Sequence, residues 1–317
     1  MEMKPVCLNL GECNGLGDLI CATPTIKKVS LAYGNPITVI SQMPELFKNN
    51  PCVDKSYKIS SVDIDYFNDN YIMHNSFYNI GKKNERGIEY KHNVMDIRSF
   101  HSINLGFMLG KDEMDCFYRP TEENKFTELP FSRYVVIHPV QSWAVRTWAA
   151  EKWMELTKQL NDRNIAVISI GRDSHETGFF DTQKPVFNFE IPLGLNLMNK
   201  TSISDCWHLI NNAICVITMD SGILHLAGTT DTRIIHLGSS IKPEFRAPYR
   251  YGSQDWNYQY VRGGCGIECA SNMKYALKFW DDINSVQPLI GCLENKKEFE
   301  CHPTVEQIIE AFGYNIH

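Results

Sequence analysis

The chain has 317 residues, 43% hydrophobic and 21% charged, with a formal net charge of -6. This is ordinary globular composition, long enough for two hydrophobic cores, and its acidic balance argues against a wholly basic nucleic-acid binder while leaving room for a local basic groove. No stretch approaches the roughly 20 uninterrupted apolar residues of a membrane span, and Met1–Leu10 carries no signal-peptide pattern, so a cytoplasmic protein is expected, its eleven cysteines reduced thiols or metal ligands.

In chain order, Val6–Leu10 reads as a short strand, Gly11–Gly17 as a glycine-containing loop, and Thr25–Tyr33 as a helix with Pro24 in its first turn. Ile37–Ser41 is the next strand, completing a βαβ unit and so a parallel sheet. From Val62 to Lys111 periodicity is weak, which predicts surface loops and short helices, with Asp63-Ile64-Asp65 a solvated loop. A second alternation follows. Tyr134–His138 is an apolar strand, and Glu151–Asn161 is a helix with Trp153, Leu156 and Leu160 on one stripe. Ile165–Ile170 is a strand, Ser204–Asn211 a helix capped by Ser202, Cys215–Thr218 a strand, Gly222–Gly228 a helix start, Arg233–Leu237 a strand and Thr304–Phe312 a final helix. Alternation through both halves predicts an α/β protein of two Rossmann-like doubly wound domains, residues 1–125 and 126–302, closed by a C-terminal helix over 303–317.

Three segments carry candidate chemistry. Gly15-Leu16-Gly17-Asp18 with Thr23-Pro24 falls at a strand-to-helix turn, where glycines allow close backbone approach and Asp18 can act as a general base or as a cap. The dinucleotide fingerprint GxGxxG is absent, which disfavours a dehydrogenase. His138-Pro139 leads into a loop holding Trp143, Arg146, Trp148 and Trp153, where Arg146 can neutralise a departing diphosphate or the tryptophans can simply edge a core. Asp220-Ser221-Gly222 with His225 puts backbone N–H groups at a helix start, suited to phosphate. A Ser/His/Asp hydrolase reading of the same residues fails for want of a GxSxG turn.

In this order and spacing the three segments resemble the heptosyltransferase-like glycosyltransferases of family nine. Gly17-Asp18 with Thr23-Pro24, His138-Pro139 with Trp148 and Trp153, and Asp220-Ser221-Gly222 with His225-Leu226-Ala227 carry the likeness, supported by Asn199-Lys200-Thr201-Ser202 and Leu237-Gly238-Ser239-Ser240. The resemblance implies a GT-B fold with an interdomain cleft, the first domain holding the acceptor and the second a nucleotide-diphosphate sugar. It implies an inverting transfer with Asp18 as base, Arg146 at the donor phosphates, and Asp220, Ser221, Gly222 and His225 along the diphosphate. Gly17, His138, Trp143 and Ser239 complete the expected donor site, and no catalytic metal is needed where guanidinium and helix-end N–H groups meet the charge. ADP-heptose and a glycan acceptor of lipopolysaccharide-core type are the family default.

Cys265, Cys269, Cys292 and Cys301 fall in one C-terminal segment and suit a structural zinc or iron, or are free thiols, while Cys7, Cys21, Cys52, Cys116, Cys206 and Cys215 read as small buried hydrophobes. The stretch Lys82 to His92, with Lys82, Lys83, Arg86 and Lys91, can form a basic acceptor surface. It keeps open a phage-type transfer of a sugar such as a pentose onto 5-hydroxymethylcytosine in DNA. Protein O-glycosylation, a nucleotide-sugar epimerase and an inactive sugar-nucleotide binder are the remaining alternatives, the last disfavoured by the presence of Asp18 and Arg146 together.

Overall fold

A computed structural model describes residues 4–11, 13, 15–76, 95–139, 144–172, 189–271, 292 and 299–313. The chain divides into two units, one of residues 1–121 with 248–256 and one of 122–247 with 257–317.

The first unit holds a four-stranded parallel sheet of order β3-β2-β1-β4, with β1 Val6–Asn9, β2 Ile37–Ser41, β3 Val53–Lys58 and β4 Ile72–Asn75. Every residue of β2 is buried, as its unbroken Ile-Thr-Val-Ile run requires of an interior strand, whereas β3, half-buried or exposed at every residue, lies at the edge. Helices α1 Leu16–Cys21 and α2 Thr23–Tyr33 connect β1 to β2. The region without clear periodicity contains α3 Ile64–Asn70, β4 and α4 Ile97–Asn104. Asp63 is therefore no loop residue: its carboxylate caps α3, accepting from Asp65 N at 3.0 Å and Tyr66 N at 3.4 Å.

The second unit holds six parallel strands: β5 Tyr134–His138, β6 Ala166–Ser169, β7 Gly194–Asn196, β8 Cys215–Thr218, β9 Ile234–Leu237 and β10 Tyr258–Val261. Their order is β10-β9-β8-β5-β6-β7, so the chain winds outward from β5 in one direction and then from β8 in the other, leaving a topological switch point between those two strands. Among the described residues the α-helices α5 Ala150–Asn161, α6 Ile203–Asn211, α7 Gly222–Ala227 and α8 Val305–Gly313 accompany them. Ser202 caps α6 in a reciprocal box with Asp205, Ser202 Oγ accepting from Asp205 N at 3.1 Å and the Asp205 carboxylate from Ser202 N at 3.0 Å. On one face of the sheet, Val135, Ile137, Ile217, Ile235 and Leu237 pack with Trp153, Leu156 and Leu160 of α5 and Ile308 and Phe312 of α8. Trp148 meets Trp153 edge to face at 4.9 Å and donates its indole N–H to Pro303 O at 2.9 Å, which makes both tryptophans core pillars.

The other face differs. His138, Thr218, His236 and Tyr260 are register partners across β5, β8, β9 and β10, and they alternate with the core residues, so the C-terminal ends of four strands present a row of polar side chains. Burial holds His138 neutral, its pKa lowered to about 3, and His236 likewise at about 4, where Asp220 and Arg246 exert opposing pulls. Burial also lowers His302 to about 4, and His101 of α4 to about 4, with the Asp18 main-chain carbonyl pulling the other way.

These four groups fix an acid limit. Below their ordinary pKa of 6.5 the unfolded chain takes up protons that the folded chain refuses until about pH 4, so stability falls as pH falls between those values. Stability in urea should be level from pH 7.5 to about 6.5 and then fall toward pH 4.5 by about 1.4 kcal/mol per pH unit for each histidine kept neutral, and a flat profile contradicts the assignment.

Candidate functional site

The switch point of the second unit is where the sequence-predicted donor residues gather. Strand β8 ends at Thr218, and the chain continues through Met219, Asp220 and Ser221 into α7. Asp220 is buried, and two guanidinium groups hold one of its oxygens: Arg146 Nη1 and Arg246 Nε each lie 3.4 Å from Oδ2. Burial alone would raise this carboxyl's pKa. Arg146 and Arg246, with smaller help from His225 and His236, instead hold it well below the usual carboxylate range.

Arg146 ends the one-turn helix Ala144–Arg146 that follows β5, and its side chain is 20% exposed, so the guanidinium is anchored at Asp220 yet partly open to solvent. His302 ties the same turn down through Nε2 and Val145 O at 2.8 Å. Arg246 follows the turn Pro243–Phe245 after β9 and is itself buried. Three loops separated by up to a hundred residues thus meet on one carboxylate.

Ser221 is extended (φ -157°, ψ 172°) and precedes α7, with its hydroxyl 3.1 Å from Thr218 Oγ1. Ser221 and Gly222 are half-buried where α7 begins, the end of a helix at which backbone N–H groups face outward, and Leu224 N–H bonds back to Ser221 O at 3.1 Å. His225 is buried one turn further on. Ser239 is buried too and serves its own turn, its Oγ accepting from Ile241 N at 3.3 Å while its N–H donates to Tyr260 OH at 3.3 Å. His138 stands in the polar row beneath. Sequence reasoning missed Arg246, His236 and Tyr258, whose hydroxyl lies 2.7 Å from His236 Nδ1. Trp143, and the basic residues Lys82, Lys83, Arg86 and Lys91, lie outside the described residues.

In the first unit, Asn9 and Asn75 end the adjacent strands β1 and β4, and Asn9 Nδ2 donates to Asn75 Oδ1 at 3.0 Å. Asn9 Oδ1 accepts Gly11 N–H at 2.9 Å and so turns the chain toward α1. Gly17 and Asp18 lie in the first turn of α1, both half-buried. The Asp18 carboxylate packs against Gly15, and a Cβ at residue 15 would collide with Asp18 Oδ2. Glycine at that position therefore sets where the carboxylate can rest.

The C-terminal cysteines converge through backbone pairing. Gly263 N–H bonds to Cys301 O at 2.9 Å and Cys265 N–H to Glu300 O at 3.1 Å, an approach only glycine permits at 263, since a Cβ there would strike the Glu300 and His302 carbonyls. Cys301 is buried; burial pushes its thiol up to about 12, with Cys269, Cys265 and Cys292 adding to the rise in that order. Among the described residues no three Cys, His, Asp or Glu side chains stand close enough to hold a metal. Cys7, Cys21, Cys206 and Cys215 are buried as expected of small hydrophobes, while Cys52 and Cys116 are half-buried. Among the described residues no helix is long and apolar enough to cross a membrane.

The sequence profile described as glycosyltransferase family 9 (heptosyltransferase) matches residues 82–259, more than half of the chain. No curated protein sequence matches it. Among solved structures, the iron-containing dodecameric glycosyltransferase TibC of enterotoxigenic E. coli H10407 aligns with a TM-score of 0.72 at 16% identity, over 99% of this chain and 76% of TibC. The family 9 glycosyl transferase of Veillonella parvula DSM 2008 aligns at 0.63 and 15% identity, over 99% of this chain and 98% of the other. The E. coli ADP-heptose LPS heptosyltransferase II aligns at 0.59 and 14% identity, over 89% and 98%. At these identities the structural likeness speaks for the fold, which is the GT-B arrangement of two parallel α/β units. Taken with the profile match, it shows that the chain is a glycosyltransferase and belongs to family 9, the heptosyltransferase family.

Proposed function

We propose that this enzyme moves a sugar from a nucleotide-diphosphate donor to an acceptor hydroxyl with inversion at the anomeric carbon. The observation that carries the reading is the Asp220 clamp: a buried carboxylate that fixes the partly open Arg146 guanidinium at the C-terminal edge of β5 and β8. Ligands of doubly wound sheets bind at that edge, beside the switch point. A guanidinium held there needs little reorganisation to meet a developing anion. Arg146 and the N–H groups of Ser221 and Gly222 would receive the diphosphate, with His138, His225 and Ser239 supporting them from below and Gly17 and Trp143 completing the donor contacts. Asp18 is the base. In the displacement the acceptor oxygen bonds to the anomeric carbon, its proton passes to the Asp18 carboxylate, and the bond to the diphosphate breaks with the electron pair leaving on the phosphate oxygen. Orientation of the two partners supplies much of the acceleration.

One TibC structure is a complex with ADP-D-beta-D-heptose, aligned at a TM-score of 0.73 and 14% identity. We take an ADP-linked heptose as donor and a glycan hydroxyl of lipopolysaccharide-core type as acceptor, in keeping with family membership. We further propose that Cys265, Cys269, Cys292 and Cys301 hold a structural iron or zinc. Four soft thiolates in one C-terminal segment suit such a metal, the pairing of residues 263–265 with 300–301 brings the Cys265 and Cys301 backbones together, and the aligned TibC is described as iron-containing. The metal would brace the pairing of residues 263–265 with 300–301 and take no part in transfer.

Asp18→Asn should lower transfer by about two to four orders of magnitude while leaving ADP-heptose binding intact, as product formation and calorimetric titration would read. Gly15→Ala, which crowds the Asp18 carboxylate, should slow transfer in the same sense. Unchanged turnover in Asp18→Asn removes it from the mechanism. Elemental analysis of the purified protein should find one iron or zinc per chain, with chelation lowering the melting temperature; no stoichiometric metal and an unchanged melting temperature contradict the cysteine site.

A further inference from the structure

Between β9 and β10 the chain leaves the second unit, and residues 248–256 join the first. This excursion ends in a tight hairpin. Arg250 and Ser253 pair antiparallel, with N–H to carbonyl bonds of 2.8 and 3.0 Å, and the two residues between them, Tyr251 (φ 54°) and Gly252 (φ 72°), are both in the left-handed region. Two consecutive positive φ values define the turn type for which Asn-Gly is the favoured pair. Among the described residues the other non-glycine residues of positive φ are Asn164, Asn199 and Asn257. Tyr251 is the outlier, because a bulky side chain pays a steric penalty in this conformation.

Tyr251 is 71% exposed, and Trp256, which it meets edge to face at 5.4 Å and 81°, is 50% exposed. The two rings form an open right-angled corner, and the loop bearing them is firmly seated. Gly252 N–H bonds to Asp115 Oδ1 at 3.0 Å, and Arg250 Nη1 lies 3.5 Å from Trp256 O. Tyr249 stacks under the fully buried Arg98, 4.7 Å from ring centroid to guanidinium carbon, and Asp96 grips Arg98 through two bonds. A rigid loop that displays two large rings to solvent at a conformational cost is built to meet something outside the folded chain.

We infer that Tyr251 and Trp256 form a carbohydrate-binding corner that stacks a sugar ring of the acceptor glycan. Aromatic faces carry partial negative charge and attract the C–H groups on one side of a pyranose ring. The carboxylates around the corner select the same partner: Asp115 lies against Gly252, Asp112 is packed beside it, and Asp255 precedes Trp256. Carboxylates accept hydrogen bonds from sugar hydroxyls and repel a nucleic-acid backbone. The inference rests on reading the first unit as the acceptor side of the transferase.

The test titrates a dephosphorylated lipopolysaccharide core oligosaccharide, and in parallel an oligonucleotide containing 5-hydroxymethylcytosine, against the full chain and against Tyr251→Asn and Trp256→Ala. ADP-heptose affinity, melting temperature and sedimentation are measured alongside. Asparagine relieves the left-handed strain at residue 251, so Tyr251→Asn should hold or raise the melting temperature by about 2 °C. Both variants should bind the oligosaccharide on the order of tenfold more weakly and keep their ADP-heptose affinity. Oligosaccharide binding equal to the unmodified chain's, loss confined to the oligonucleotide, or a change confined to self-association overturns the corner, as does failure of the unmodified chain to bind the oligosaccharide while ADP-heptose binds. Failure of ADP-heptose to bind overturns the donor reading instead and leaves the oligosaccharide comparison standing. Should Trp256→Ala fail to fold, Tyr251→Asn decides alone.

Discussion

A carboxylate shared by two guanidinium groups organises the second unit. Leaving Asp220 ionised away from water is expensive unless it is paired, and removing one partner of such a buried pair costs about 3–5 kcal/mol. Arg146 and Arg246 supply the pairing, and both meet the same Asp220 oxygen. The consequence is geometric. The loop after β5, the start of α7 and the turn after β9 are locked together at the one place in this sheet where the winding reverses. A phosphate-binding surface built from loops gains its precision from such ties, since loops alone seldom hold a group within a fraction of an ångström.

The surroundings reinforce the arrangement by staying neutral. His138 and His236 stand in the row of side chains next to the clamp, and their burial keeps protons off them well below neutral pH. Positive charge at this edge of the sheet is thereby left to the arginines, one of them partly open to solvent. Ser239 and Tyr260 spend their polar atoms on each other and on the adjoining turn, which stiffens the floor of the site. The first unit repeats the scheme on a smaller scale. Strand order β3-β2-β1-β4 puts the ends of β1 and β4 together, their two asparagines join, and Asp18 rides on the helix that follows.

Much of this was legible in the residues. β5 and β8 announce themselves as largely apolar runs because both faces of an interior parallel strand are covered, and Trp153, Leu156 and Leu160 mark the buried stripe of α5. Ser202 capped its helix as read. What escaped had physical reasons. β4 is Ile-Met-His-Asn and β10 is Tyr-Gln-Tyr-Val, edge strands whose half-buried residues need no apolar run. β7 has three residues, too few for any period to show. Asp63 gave no cap signal because α3 after it, Ile-Asp-Tyr-Phe-Asn-Asp-Asn, is polar and short. Arg246 lies 26 positions from Asp220, and nothing local to either residue encodes a pairing that only the sheet's winding creates. The same holds for His236, which reads as an interruption in an apolar strand until register sets it beside Thr218 and Tyr260.

If the clamp exists to aim Arg146, then the two residues must act on the donor as one. A double-mutant cycle measures this directly: ADP binding by calorimetry for the unmodified chain, Arg146→Ala, Asp220→Asn and the double variant. The account predicts that each single change weakens ADP and that the second adds little to the first, a coupling of about 1–3 kcal/mol. Losses that simply add, or ADP binding indifferent to both changes, would contradict it.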